Sequence, residues 1–363
     1  MPAVFLLFIG STILALLVSV AASPLVAAAA HRFQVLDVPG GRRLHHGPIP
    51  RPGGAAIAAG FGAAILAFWA IDRLAGHPFL IPDEVRSPRF TLTAVAAAVA
   101  LAIGFLDDVF ELRARWQMLG HLVIAAVVVL AGIRIDFLSD PFSPSGILLL
   151  APPIAIGFTV FWIVGMNVAL NFLDGLDGLS AGVAIIAALT LGATALLPGV
   201  NEPFVAWMAF TLAGAIVGFL FFNFHPARLF LGTTGVTFLG TMLAVLSVFG
   251  TAKVPTALLV LAVPIVDTFY VLVRRTLQRR PPFAPDRGHF HHRLLDLGLT
   301  HAQSVLIIYA LTLGLAALTF VMDAVAQITT FAGFALLLGV LVLAIPERSA
   351  AGEKRPVERP DRA

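Results

Sequence analysis

Apolar stretches long enough to cross a lipid bilayer recur about eleven times along this chain, near residues 3–30, 54–72, 90–106, 117–133, 147–168, 179–197, 204–222, 236–250, 255–273, 303–321 and 327–345. A spanning helix needs roughly 20 apolar residues, and the segments between these stretches are too short to hold a soluble domain. With 59% hydrophobic and only 12% charged residues, the composition excludes an ordinary soluble globule. The expected fold is all-α: a polytopic membrane helix bundle of about eleven spans, one transmembrane domain over residues 1–345. The remainder, 346–363, is charged, rich in small residues and Pro-bearing, and reads as a disordered tail. There is no cysteine, which removes disulfides and thiolate metal sites.

The first apolar stretch lacks a basic leader and is long for a signal sequence, so it reads as a retained helix. Loop charge then sets the orientation. With the segment after the first helix placed in the cytoplasm, 18 of the 23 Lys and Arg residues fall inside and 5 outside. The N-terminus is therefore expected outside and the tail in the cytoplasm. Most of the chemically versatile side chains fall on the same inner side: Asp107, Asp108, Glu111, Asn167, Asn171, Asp174, Asp177, Arg228 and the histidines of 289–292.

Two acidic motifs stand out. In "GFLDDVFEL" the third stretch ends on Asp107 and Asp108, neighbours that point about 100° apart on a helix and so share a ligand only where the helix ends. An acidic helix end in contact with water explains this motif equally well, although acids there oppose the helix dipole. "NFLDGLDGLSAG" is more specific. Glycine after Asp174 and after Asp177 permits a tight turn and a close backbone approach, while Asn167 and Asn171 add neutral oxygens one helical turn apart. Carboxylates crowded at one rim repel unless a cation joins them. Oxygen donors without cysteine suit a hard ion, Mg²⁺ with Mn²⁺ as the alternative. The competing reading is an Asp/Gly capping turn between two spans.

Basic groups complete the inventory. "DVPGGRRLHHGPIPRPGG" carries Arg42, Arg43, His45 and Arg51, and "PDRGHFHHRLL" carries Arg287, His289, His291, His292 and Arg293. Guanidinium forks and imidazoles suit phosphate recognition; a zinc site is the lesser alternative for the histidines. Arg274, Arg275, Arg279 and Arg280 read as anchors to lipid headgroups. Asp267, inside the ninth stretch, is open to a functional or a structural reading. His121 and His225 read as packing or capping residues.

In order along the chain, "DVPGGRRLHHGPIPRPGG", "GFLDDVFELRARWQMLGH", "NVALNFLDGLDGLSAG", "FFNFHPARLFLG", "PIVDTFYVLVRR" and "PDRGHFHHRLL" resemble the motifs of the polyprenyl-phosphate N-acetylhexosamine-1-phosphate transferases. That group contains the bacterial enzymes that start O-antigen, enterobacterial common antigen and teichoic acid synthesis, and also phospho-N-acetylmuramoyl-pentapeptide transferase. The His-x-His-His form looks more like the N-acetylglucosamine-1-phosphate branch. The resemblance implies attack by undecaprenyl phosphate on the β-phosphorus of a UDP-N-acetylhexosamine, with release of UMP, at the cytoplasmic face of the bacterial inner membrane. It implies Mg²⁺ as cofactor and the two substrates and the bilayer as partners, with no nucleic acid; it is compatible with a homodimer.

On the same resemblance, Asp107 and Asp108 would position or deprotonate the lipid phosphate. Asp177 would hold the metal, supported by Asp174 and Asn171. His289, His291, His292 and Arg287 would hold the nucleotide diphosphate, and Arg42, Arg43 and His45 the lipid or sugar phosphate. A phosphate monoester with a second pKa of about 6 needs little help from a base near neutral pH. One departure matters: where the family carries Gly-Asp-x-Gly-Ser, this chain has "GTTGV". Thr233 thus occupies a metal-ligand position with a neutral hydroxyl, and Val236 replaces a serine. That favours a weakened or inactive relative as the alternative to a working enzyme. A transporter would show inverted repeats and helices interrupted near mid-membrane, whereas the acids of the two motifs sit at one rim and the sequence shows no repeat.

Overall fold

The computed structural model describes residues 2–38, 47–75, 88–140, 147–249, 254–279, 281 and 288–344. It is a polytopic membrane helix bundle. The helices are α1 (Pro2–Arg32), α2 (Gly54–Ala75), α3 (Pro88–Phe110), α4 (Ala114–Leu130), α5 (Pro152–Leu173), α6 (Leu179–Ala195), α7 (Pro203–Asn223), α8 (Gly232–Val248), α9 (Val254–Val260), α10 (Ala262–Leu277), α11 (Phe290–Asp296), α12 (His301–Leu318) and α13 (Ala324–Ala344). Seven of these, α1, α2, α3, α5, α7, α12 and α13, are long and apolar enough to cross a membrane, and α9 with α10 forms a bent eighth. The apolar helices α4, α6 and α8 have 17 residues each, about 26 Å of axial rise against a hydrocarbon core of about 30 Å.

Two departures from the sequence expectation have local causes. Residues 255–273 do not form one straight helix: α9 and α10 meet at 75°. Pro264 has no amide hydrogen, so the carbonyl of Val260 loses its donor four residues on, and the helix breaks just after that carbonyl. The fold is also not purely helical. β1 (Leu36–Asp37) pairs antiparallel with β2 (Ile49–Pro50), and β3 (Phe137–Ser139) with β4 (Ile147–Leu149). Strands of two and three residues are too short to register as a periodic pattern.

Helix α7 lies at the centre, packed against α1, α2 and α6, while α8 packs against α2, α3 and α5. Trp207 and Phe219 of α7 are fully buried. Several polar side chains inside the bundle pair with one another, which offsets the cost of placing them in hydrocarbon surroundings. Trp207 Nε1 donates to Ser11 Oγ at 3.0 Å, and Thr211 Oγ1 donates to the same oxygen at 2.9 Å. Trp162 Nε1 donates to Ser247 Oγ at 3.0 Å, tying α5 to α8. Asn167 is consumed the same way: it donates to Ile163 O and accepts from Thr241 Oγ1, a structural role in place of the ligand role expected of it. The expected tail, 346–363, lies outside the described residues.

Candidate active site

The C-terminal ends of α1, α3, α5 and α7 and the N-terminal ends of α8 and α12 meet around one cavity of about 1190 Å³. Its lining includes Asp107, Asp108, Asn171, Asp174, Asp177, His225, Arg228, Thr233, His292 and His301.

The adjacent acids of α3 do different things. Asp107 Oδ1 accepts from the Leu112 amide and from Gln117 Nε2, each at 2.9 Å; among the described residues its Oδ2 has no partner. Asp108 is occupied on both oxygens. Oδ1 accepts from the Thr233 amide at 2.8 Å, and Oδ2 from the Thr234 amide at 2.9 Å and Thr234 Oγ1 at 2.5 Å. Asp108 therefore caps α8 from another helix, satisfying amides that have no partner within α8 and placing negative charge at its positive end. Thr233, on the first turn of α8, lines the cavity beside it.

The Asp-Gly turn between α5 and α6 is held from several sides. Asp174 follows the last residue of α5. Gly178 has φ +78°, open to glycine at no steric cost, and its amide donates to Asn223 Oδ1 of α7 at 3.1 Å. Gly175 is needed for a different reason: a Cβ there would overlap His291 Nε2. Asp177 turns toward α7, where its Oδ2 lies 2.7 Å from His225 Nδ1 and accepts from the Ala227 amide at 3.1 Å. His301, at the start of α12, stacks on His225 with ring centroids 4.2 Å apart.

Asp174 opens onto the cavity and is surrounded by protein on its other sides. Burial first, then the charges of Asp108 and Asp177, push its pKa up to about 7 against an opposing hydrogen bond from Ser180. A proton or a cation is therefore readily accepted here at neutral pH.

The histidine motif divides. His289 Nδ1 lies 2.8 Å from Asp267 Oδ2, and Asp267 Oδ1 accepts the Phe290 amide at 2.7 Å. Asp267 is thus satisfied structurally, holding the first turn of α11. His291 is buried against Gly175; burial, followed by the neighbouring imidazoles, drives its pKa well below the ordinary value, so it is a neutral ring. Only His292 of the three lines the cavity.

Comparison with known proteins places this arrangement. Residues 90–251 match the model of Glycosyl transferase family 4. The chain is 36% identical over 305 residues to a probable undecaprenyl-phosphate N-acetylglucosaminyl 1-phosphate transferase of Bacillus subtilis, covering 82% of this chain and 80% of that one. It is 34% identical over 355 residues to the decaprenyl-phosphate N-acetylglucosaminephosphotransferase of Mycolicibacterium smegmatis, covering 90% and 85%. A third relative, the undecaprenyl-phosphate alpha-N-acetylglucosaminyl 1-phosphate transferase of Yersinia pestis, is 28% identical over 324 residues, covering 86% and 82%. The chain belongs to glycosyl transferase family 4. It is an enzyme of the glycosyl-phosphotransferase type.

Of the residues singled out in sequence, this family 4 chain brings Asp107, Asp108, Asn171, Asp174, Asp177, Thr233 and His292 to one cavity. His289 and His291 support the cavity from behind. Arg42, Arg43, His45 and Arg287 lie outside the described residues. Arg51 is engaged by Asp37 at 2.6 Å and Glu111 at 2.7 Å, which fixes the β1–β2 base to the end of α3. Two residues were missed. His225, read as packing, sits on Asp177, and His301 carried no motif at all; its one signal is a histidine opening the helix behind the Thr300–Gln303 capping box.

Proposed function

We propose that the protein transfers N-acetylglucosamine-1-phosphate from UDP-N-acetylglucosamine to undecaprenyl phosphate, releasing UMP, as a first membrane step in cell-envelope polysaccharide synthesis. The observation carrying this reading is the acid- and imidazole-lined cavity at the helix ends, large enough for a diphosphate and its sugar. The names of the relatives in Bacillus subtilis, Mycolicibacterium smegmatis and Yersinia pestis support the donor sugar and the prenyl acceptor. Counting α4, α6 and α8 as short spans beside the eight longer ones gives eleven crossings. The Lys/Arg bias supports a cavity on the cytoplasmic face of the inner membrane, the side that a soluble nucleotide sugar would reach.

In this reading a phosphate oxygen of the lipid bonds to the β-phosphorus of the nucleotide sugar. The bond from that phosphorus to the bridging oxygen breaks, and the electron pair leaves with UMP. Asp107, with an unengaged oxygen among the described residues, orients the incoming phosphate; Asp108 positions α8 and is not needed as a base. His292 and Arg228 face the diphosphate, and His289 and His291 hold α11 in place.

The donor set fits a divalent cation. Asn171, Asp174 and Asp177 converge on the cavity, and the pKa of Asp174 is raised mainly by burial, with a smaller contribution from the charges of Asp108 and Asp177. Those three residues would hold the ion, Mg²⁺ or Mn²⁺, which when bound offsets diphosphate charge. Thr233 contributes a neutral oxygen where a carboxylate would bind more strongly.

The test is Mg²⁺-dependent UMP release by the purified protein with undecaprenyl phosphate, run beside Asp177→Ala and Thr233→Asp. Turnover that Asp177→Ala abolishes supports the transferase. Silence in the parent with turnover gained in Thr233→Asp would point instead to a disarmed relative with a lipid-binding or regulatory role. Silence in both with several UDP-sugars would overturn the substrate reading.

A further inference from the structure

Asp177, His225 and His301 come from three places distant in sequence: the turn after α5, the segment after α7 and the first residue of α12. One ligand atom from each lies within 4.8 Å of the others, close enough that small side-chain movements would bring all three onto one ion at bond lengths of about 2 Å. All three residues line the cavity. A carboxylate with two imidazoles differs in kind from the oxygen donors of Asn171 and Asp174. Imidazole nitrogen binds first-row transition-metal dications well and Mg²⁺ poorly, and a two-histidine, one-carboxylate set leaves coordination positions open.

A second observation points the same way. His301 Nε2 is buried and has no hydrogen-bond partner among the described residues. A buried ring nitrogen without a partner is an unfavourable arrangement in a polar site, and an ion is the kind of ligand that would remove the deficit. The stacking of His301 on His225 also keeps both rings beside Asp177 before any ion arrives.

We propose that Asp177, His225 and His301 form a three-ligand site for a first-row transition-metal dication, of which Zn²⁺ is the probe, with its open position toward the cavity. The proposal refines the ion preference of the transferase reading but does not depend on turnover. Such an ion would join the α5–α6 turn, the α7–α8 connection and the start of α12, making the rim of the cavity one rigid unit.

The experiment uses the full-length, tag-free protein in detergent, treated with chelator, loaded with Zn²⁺ and freed of excess ion, with bound metal counted by mass spectrometry. One equivalent is expected, resistant to millimolar Mg²⁺. His301→Gln and His225→Gln should each weaken Zn²⁺ by more than about 100-fold, the range reached by losing only supporting contacts of a metal site. His31→Gln, another cavity-lining histidine, should leave the count at one. Folding of each variant is checked by its elution profile and melting curve without metal. No retained Zn²⁺ in a folded parent overturns the site, as does a bound equivalent that persists in a His225→Gln, His301→Gln double variant. Zn²⁺ retained by the parent and lost in the variants upholds it even if UMP release fails. UMP release on Mg²⁺ alone, with no Zn²⁺ retained, defeats the site while leaving the transferase reading intact.

Discussion

Asp267 Oδ2 stands 2.8 Å from His289 Nδ1, joining an acid inside the bent span to the first residue of the His-x-His-His motif. The same carboxylate accepts the Phe290 amide, so one buried acid fixes both the ring and the helix that follows it. An asparagine would keep one acceptor and present an amide hydrogen toward the ring, reversing the tautomer it favours. Asp267→Asn should lower the specificity constant for the nucleotide sugar by about 10- to 100-fold, the equivalent of one charge-assisted hydrogen bond. Steady-state kinetics with varied UDP-sugar check this; an unchanged constant would remove the link between Asp267 and the motif.

Asp107 and Asp108 should separate cleanly by mutation. Asp108 caps α8 through three hydrogen bonds, and truncating it leaves buried donors without an acceptor. Asp108→Ala is expected to destabilise the protein by about 1–3 kcal/mol, seen as a lower melting temperature in detergent. Asp107→Asn keeps an acceptor for Leu112 and Gln117 and should melt near the parent, while turnover falls by about 100-fold or more if the carboxylate orients the lipid phosphate. Equal losses of stability in both variants would contradict this division.

Why one pair was predictable only in part shows where sequence reading reached. The apolar stretches located α1 to α10, α12 and α13, because bilayer thickness imposes a length that side chains alone reveal, but not α11, whose seven residues fall between two stretches. The two acidic motifs were legible from composition and glycine spacing. The cap from Asp108 to Thr233 and Thr234 spans more than a hundred positions, and the Asp177–His225–His301 trio draws on three separate helix ends. No local period encodes such meetings. The break at Pro264 was visible in principle, but hydropathy averages over it.

Asp174 gives a pH dependence with a definite sign. Its pKa is about 7 in the folded protein against an ordinary 3.8. An acid raised in this way adds stability below its unfolded pKa and loses it as pH rises through the folded pKa. The chelator-treated protein should therefore melt at a higher temperature at pH 5 than at pH 8, with the decline between about pH 4 and about pH 7. Asp174→Asn should flatten that part of the profile. Added divalent cation should recover more stability at pH 8 than at pH 5, because only the ionised carboxylate attracts it.

Thr233 offers a gain-of-function test. Its amide already donates to Asp108, and the residue lines the cavity. A carboxylate there would sit on the first turn of α8, where the dipole favours negative charge, and would add a strong oxygen donor to the Asn171–Asp174–Asp177 set. Thr233→Asp should lower the Mg²⁺ concentration for half-maximal UMP release by about tenfold, equivalent to roughly 1.4 kcal/mol of added binding. A rise in that concentration would mean that repulsion from Asp108 outweighs the new ligand.

Gly175 joins the two motifs physically. Its α-carbon faces His291, and a methyl group there would overlap the ring at Nε2, an atom already buried and without a hydrogen-bond partner among the described residues. His291 cannot swing away freely, being buried between the Asp-Gly turn and its stacked neighbour His289, 5.5 Å away between ring centroids. Gly175→Ala must therefore shift either the turn carrying Asp174 and Asp177 or the helix carrying His292. Both shifts disturb the cavity, and a displacement near 1 Å in a positioned site can reduce turnover by about 100-fold. The double variant Gly175→Ala, His291→Ala removes the overlap. Recovery of part of the lost UMP release in that double variant would establish the contact, whereas an additive loss would show that His291 has a role of its own.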